Sequence, residues 1–323
     1  MICKVLLPIP LNKLFSYEII KNLKHGHIVC VQFKNKEVIG VVIRIQKERD
    51  FKKPLKKVIA IVNKDPLPKE ILKSINFISE YTCNFPSMVL KLFLSGFEKT
   101  NRKLLVQDLQ IKTKELSLTN EQKETIKSMT EHNKGFNVSL LHGVTGSGKT
   151  RVYMHLVKQK ISEGFQCLIL VPEIILTSEW VKEIEEDFGI SPIIYHSAIS
   201  KNKRSNINRG VLNCGIKVVI GTRSALSLPL KNLGLIVVEE EHDSSYKQDS
   251  QLIINFRDFA VVRAKNSNCS IILASATPSI ESFYNVKINK YKIFKLEKRI
   301  NNKFPVIKVS DMKSEKSIFS KEL

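Results

Sequence analysis

Residues Gly143 to Thr150 read Gly-Val-Thr-Gly-Ser-Gly-Lys-Thr, a complete G-x-x-x-x-G-K-T phosphate-binding loop. An apolar run at 138–141 precedes it and reads as a buried strand; Val152, Leu156, Val157 and Ile161 follow at helical spacing. Strand, glycine loop and helix together give the octet a mechanism. Gly143, Gly146 and Gly148 let successive backbone N–H groups curl around phosphate oxygens, and the helix N-terminus adds partial positive charge. Lys149 then neutralises the β- and γ-phosphates, and the Thr150 hydroxyl ligates Mg²⁺. A Gly/Ser-rich turn matching by accident is the bland alternative, and the flanks argue against it. The expected ligand is a nucleoside triphosphate.

Downstream, 235–242 runs Leu-Ile-Val-Val-Glu-Glu-Glu-His, a buried strand ending in acids. Such a strand delivers its carboxylates to the sheet edge beside the loop. Glu239 is placed to hold Mg²⁺ through water and Glu240 to polarise the attacking water, unless the run is only a solvated helix start. Ser275-Ala276-Thr277 closes another strand run and is weak alone, since such triplets usually cap helices. Thr119, Glu121 and Gln122 open a helical segment upstream of the loop. They read either as a plain helix start or as a Gln122 side chain that hydrogen-bonds the adenine edge.

Strand runs at 167–171, 192–195, 218–220, 235–238 and 271–274 alternate with helical segments. That alternation predicts an α/β motor lobe with a parallel sheet covered on both faces, ligands gathering at the strands' carboxyl ends. The expected organisation is a β-rich domain at 1–64, a winged-helix module at 65–99 and a polar, lysine-rich linker at 100–117. The ATP-binding lobe follows at 118–300, then a tail at 301–323. In the first domain, runs at 5–8, 28–33 and 38–45 are rich in Val and Ile, with a hairpin-like break at Lys34-Asn35-Lys36.

The 323 residues carry 52 Lys and Arg against 31 Asp and Glu, a formal net charge of +21. An excess of this size favours a polyanion, most often nucleic acid, although a lysine-rich compositional bias would also produce it. Charge does not separate DNA from RNA. The six cysteines form no C-x-x-C pair, so neither a zinc site nor a disulfide framework is expected. No apolar stretch reaches the roughly eighteen residues of a membrane span, and the start lacks a secretory leader, so a cytoplasmic protein is expected.

Several segments together carry a family resemblance: 170–177 (Leu-Val-Pro-Glu-Ile-Ile-Leu-Thr), 195–198 (Tyr-His-Ser-Ala), 221–225 (Gly-Thr-Arg-Ser-Ala), 239–248 and 273–282. The chain resembles the first motor lobe of superfamily 2 helicases, and specifically the primosomal protein N′ (PriA) replication-restart family. Leu7-Pro-Ile-Pro10 with Leu14-Phe-Ser-Tyr17 is similar to that family's 3′-end-binding domain, 65–94 to its winged helix, and 304–312 still follows it. The resemblance implies RecA-like ATP-driven 3′→5′ unwinding, binding to stalled forks and single-stranded/duplex junctions, and recruitment of primosome and single-strand-binding proteins. It places Phe15, Tyr17, Lys34, Lys56, Thr222 and Arg223 on DNA. It also makes His242, Ser275 and Thr277 the link between the nucleotide and DNA sites. A P-loop kinase or GTPase is disfavoured, because no guanine-reading N-K-x-D segment occurs.

The sequence departs from the family at several points. Glu239 stands where Asp is usual, Ser16 replaces an acid of the 3′-end pocket, and Lys34 replaces a glycine. The family continues into a zinc module and a second lobe that supplies an arginine to the transferring phosphoryl group. No zinc ligands are expected in these 323 residues. An impaired fork-binding or primosome-assembly scaffold from a truncated or split gene is therefore the alternative reading.

Overall fold

The computed structural model of the chain describes residues 1–47, 54–98, 105–107, 117–249 and 252–300. The expected tail at 301–323 and most of the linker at 100–117 lie outside the described residues. Strands β1 (Ile2–Leu6), β2 (Phe15–Glu18), β3 (Ile28–Phe33), β4 (Lys36–Gln46) and β5 (Val58–Ile61) form one sheet in the order β2-β1-β4-β3-β5. Every pair in it is antiparallel. One face packs Cys3, Val5, Tyr17, Val29, Val31 and Val42 into a small core. The other face contributes Leu6, Ile28, Cys30 and Val41 to a larger one, so the sheet is apolar on both sides.

Helices α1 (Lys69–Tyr81) and α2 (Pro86–Phe93) follow. Ile71, Ile75 and Ile78 put a buried stripe on α1 at helical spacing, and Pro86 opens α2, where its missing N–H costs nothing. No strand falls between Ile61 and Val138 among the described residues, so the winged helix expected at 65–99 is represented by its two helices.

The remainder is α3 (Asn120–His132), β6 (Val138–Gly143), α4 (Lys149–Ser162), β7 (Gln166–Leu170), α5 (Ser178–Phe188), β8 (Ile193–Tyr195), α6 (Lys201–Leu212), β9 (Val218–Gly221), β10 (Leu233–Glu239), a short two-stranded ribbon β11 (Lys247–Gln248) and β12 (Ile254–Asn255), α7 (Phe256–Asn266), β13 (Ser270–Ser275), α8 (Ile280–Lys287) and β14 (Lys292–Leu296). Seven of these strands form one parallel sheet in the order β14-β6-β13-β10-β7-β9-β8. Alternate residues of β10 enter opposite cores, Ile236 and Val238 on one face and Leu235 and Val237 on the other. Central parallel strands are buried twice over, which explains their continuous apolar runs. The order places the ends of β6, β13 and β10 side by side, and the phosphate loop, Ser275 and Glu239 with them.

The helix pair is not a separate ball. Phe93 meets Phe259 of α7 edge-on with ring centroids 6.4 Å apart, and Asn266 Nδ2 donates to Ser74 Oγ at 3.2 Å. The described part of the linker is also docked on the lobe. Gln107 accepts from the backbone N–H groups of Lys217 and Val218 at 2.8 and 3.0 Å.

Candidate functional site

The loop leaves β6 and enters α4 through Gly148, which has φ +81° and stands at the helix N-cap. A side chain there is strained by the backbone and blocked in space: a Cβ would lie 2.4 Å from Gln122 Nε2 and 2.8 Å from Ile300 Cδ1. Lys149 is 8% exposed, and its ammonium donates to the Gly143 carbonyl at 2.9 Å. The first turn of α4 therefore presents open amides, with a cation folded back beneath them.

A cavity of about 670 Å³ lies against this turn, lined by Gly146, Gly148, Lys149 and Thr150, by Glu239, by Trp180, Glu183 and Asp187 of α5, and by Ile300. The cavity brings Glu239 and Thr150 together as expected Mg²⁺ ligands. Glu239 is buried, and its Oε2 has no hydrogen-bond partner; neither has the buried hydroxyl of Ser147 in the loop. Burial first, then the charge of Glu240, push the Glu239 pKa up to about 7, against the pull of Lys149 and the neighbouring Tyr153 hydroxyl. An orphaned buried acceptor beside a hydroxyl and a ring of amides fits a hydrated divalent cation carrying phosphates.

Glu240 takes a different course from its neighbour. Its φ of +45° turns the side chain away from the loop cavity and toward the ends of β10 and β13. Its Oε2 stands 3.5 Å from both Ser275 Oγ and His242 Nδ1. His242 Nδ1 is 2.8 Å from Ser275 Oγ, and its Nε2 is 3.4 Å from Thr277 Oγ1. The three expected coupling residues and Glu240 thus form one polar cluster.

Gln122, the expected reader of adenine, is held beneath the loop. It is 1% exposed and both ends of its amide are engaged: Oε1 accepts from Thr119 N at 3.0 Å and Nε2 donates to the Ser147 carbonyl at 2.8 Å. It closes a capping box with Thr119 and braces the loop. Two expected DNA contacts are also buried. Thr222 is 3% exposed with its hydroxyl on Ser224, and Tyr17 is 4% exposed with its phenol donating to the Gln32 carbonyl. Each supports a neighbour from beneath and offers little surface to a ligand.

The remaining DNA candidates group at two places. At one end of the antiparallel sheet, Phe15 packs edge-on against Phe33 at 4.9 Å, with Lys13 Nζ 5.2 Å from its ring centroid. Beside them Lys34 holds φ +51°, and its carbonyl accepts from Lys56 Nζ at 3.2 Å. Lysine thus holds a left-handed backbone conformation that glycine adopts more readily. At the second place Arg223 donates to the carbonyls of Ser245 and Lys247 at 3.1 and 2.9 Å and lies over Phe256. It forms no ion pair, so the salt bridge that could have explained it is absent among the described residues.

Sequence reasoning missed Glu241, Trp180 and Ile300. Glu241 is 1% exposed and accepts from Arg257 Nη1 at 3.1 Å, Ser279 N at 2.6 Å and Ser282 Oγ at 3.0 Å. It fastens α7 and α8 to the end of β10. No sequence signal distinguished it from the two acids before it. Trp180 and Ile300 line the cavity only through tertiary packing.

A family model for DEAD/DEAH box helicases matches residues 119–286, and one for the 3′DNA-binding domain (3′BD) of PriA matches residues 4–95. The chain is similar to replication restart protein PriA of Rickettsia prowazekii (strain Madrid E), 39% identical over 326 residues, which cover 98% of this chain and 49% of that protein. To PriA of Bacillus subtilis (strain 168) it is 34% identical over 240 residues, covering 72% of this chain and 30% of that one. Among solved structures, the DUF1998 helicase MrfA bound to DNA aligns with a TM-score of 0.42 and 19% identity, over 74% of this chain and 31% of that one. The chain spans about half the length of the Rickettsia relatives it matches.

Proposed function

The chain belongs to the DEAD/DEAH box helicase family, its relatives there being replication restart proteins PriA, and on that premise we propose that it carries the DNA-binding region and first ATP-binding lobe of a 3′→5′ replication-restart helicase. Its substrates on this reading are ATP and forked DNA with single-stranded/duplex junctions, and it acts in the cytoplasm with primosome and single-strand-binding proteins. One observation supports the motor reading most. The loop cavity is lined at once by the amides and cation of the loop, the Thr150 hydroxyl and the orphaned carboxylate of Glu239.

On binding ATP, Lys149 leaves the Gly143 carbonyl for the β- and γ-phosphates while the amides from Gly146 to Thr150 wrap the chain. Thr150 and Glu239 are the groups that hold Mg²⁺, which when bound neutralises the phosphate oxygens. Glu240 must turn from the His242–Ser275 cluster toward the γ-phosphate to orient water. The hydrolytic step is therefore tied to the residues that bridge β10 and β13. Phe15, Lys34, Lys56 and Arg223 contribute stacking and phosphate contacts, which position a strand without reading its sequence.

The carrying test is ATP binding by calorimetry with Lys149→Ala. The variant is expected to bind at least about tenfold more weakly, as loss of one charge-assisted contact of roughly 1.5–3 kcal/mol implies. Equal affinity rejects the assigned role. A second reading, a fork-binding scaffold with impaired turnover, is favoured by Glu239 in place of aspartate and by the outward turn of Glu240. Phosphate release stimulated by DNA separates the two; fork binding without any release selects the scaffold.

A further inference from the structure

The segment that follows β14 crosses back over the phosphate loop. Val144 N donates to the Leu296 carbonyl at 3.2 Å, and Ile300 N donates to the Gly146 carbonyl at 3.0 Å. The crossing is clamped from the other side by Glu121, whose carboxylate accepts from Glu297 N at 2.7 Å and Lys298 N at 3.4 Å. Glu121 and Gln122, adjacent in the first turn of α3, thus hold the crossing segment and the loop respectively. Ile300 lines the cavity, and its Cδ1 lies over Gly148.

Charge fixes which end of a nucleotide meets this wall. In the sheet order Glu239 ends β10 on one side of the β6 loop and the strap leaves β14 on the other, so the γ-phosphate and its cation belong on the Glu239 side of the cavity. The neutral nucleoside then leaves by the opposite side, toward Ile300. Gln122 braces the loop from beneath, and Ile300 is the strap side chain that lines the cavity. We propose that the 296–300 strap is the nucleoside-facing wall of the site, with Ile300 the apolar contact for the sugar and base and Glu121 the residue that holds the strap in place. This rests on the nucleotide reading above and adds a residue to it.

The test compares two ligands, ATP and inorganic tripolyphosphate, by titration calorimetry in Mg²⁺ buffer. Tripolyphosphate fills the loop but carries no nucleoside. Ile300→Ala leaves the backbone bond to Gly146 intact and is expected to weaken ATP by about four- to fifteenfold, as loss of one to two buried methylene groups does, with tripolyphosphate unchanged. Ile300→Leu keeps the contact and ATP affinity. Equal losses for both ligands, or none for ATP, overturn the proposal. Lys149→Ala is the control for the premise. If it weakens both ligands and Ile300→Ala weakens neither, only the strap assignment falls. If the wild-type chain binds neither ligand, the nucleotide reading falls and this inference with it.

Discussion

Burial disfavours the ionised carboxylate of Glu239, and with the charge of Glu240 beside it the pKa rises from 4.5 to about 7. A raised acid pKa favours the folded state only while the group is protonated. The favourable contribution is therefore complete below about pH 4.5 and gone above about pH 7. Glu239→Gln removes the buried charge, so it should stabilise the lobe by up to about 3 kcal/mol at pH 8 and by less than about 1 kcal/mol at pH 5. Thermal denaturation at the two pH values reads this directly; equal gains at both would mean that the charge of Glu239 is not what the fold resists. The same residue shows what sequence discloses at this scale. That an acid ends the strand beside the loop was legible from the apolar run before it. That Glu239, Glu240 and Glu241 have three different fates was not, because a positive φ at Glu240 and the burial of Glu241 depend on neighbours from β13, α7 and α8.

Among the elements, the contrast between Glu240 and Glu241 turns into a stability difference. Glu241 is the acceptor shared by α7 and α8, and Arg257 beside it has a side chain only 7% exposed. Truncating it takes the buried carboxylate from Arg257, which keeps Asp258 at 2.8 Å, and leaves the Ser279 N–H and the Ser282 hydroxyl without that acceptor. Glu241→Ala should cost about 3–5 kcal/mol, the usual penalty for breaking a buried pair. Glu240→Ala, at a half-exposed position, should stay within about 1 kcal/mol. Urea denaturation of the two variants distinguishes them, and a similar midpoint for both sinks the assignment of Glu241 as the anchor. Elements were legible where burial is continuous: β6, β7, β9, β10 and β13 all follow their apolar runs to within a few residues. The edge strand β14, whose Lys-Ile-Phe-Lys-Leu mixes charge with its apolar residues, and the four-residue β2, Phe-Ser-Tyr-Glu, gave no such run, while β5, Val-Ile-Ala-Ile, is apolar throughout but only four residues long. The capping box at Thr119 and Gln122 is a helix-start pattern in sequence, and only the tertiary bond from Gln122 Nε2 to the Ser147 carbonyl makes it a brace for the loop.

For the molecule as a whole, the surplus of positive charge sets how it meets DNA. A net charge of +21 attracts any polyanion. The candidate contacts at Phe15, Lys34, Lys56 and Arg223 offer rings, ammonium groups and a guanidinium in place of a pattern that matches base edges. Binding should then be carried by phosphate neutralisation and counterion release, with little dependence on sequence. If the basic surface covers about six to ten phosphates, affinity should fall by roughly 10³- to 10⁵-fold between 50 and 200 mM salt. Anisotropy titrations of one fork in two unrelated sequences test both halves of the claim: the two log–log salt plots should be steep and superimposable. A flat plot would move the contact off the basic surface, and separated plots would require a base-reading element that neither patch contains. Lys34→Gly refines the test, because the φ of +51° at that position suits glycine better than lysine. Its loss of DNA affinity should then come with unchanged or improved stability, which distinguishes a phosphate contact at Lys34 from a structural one.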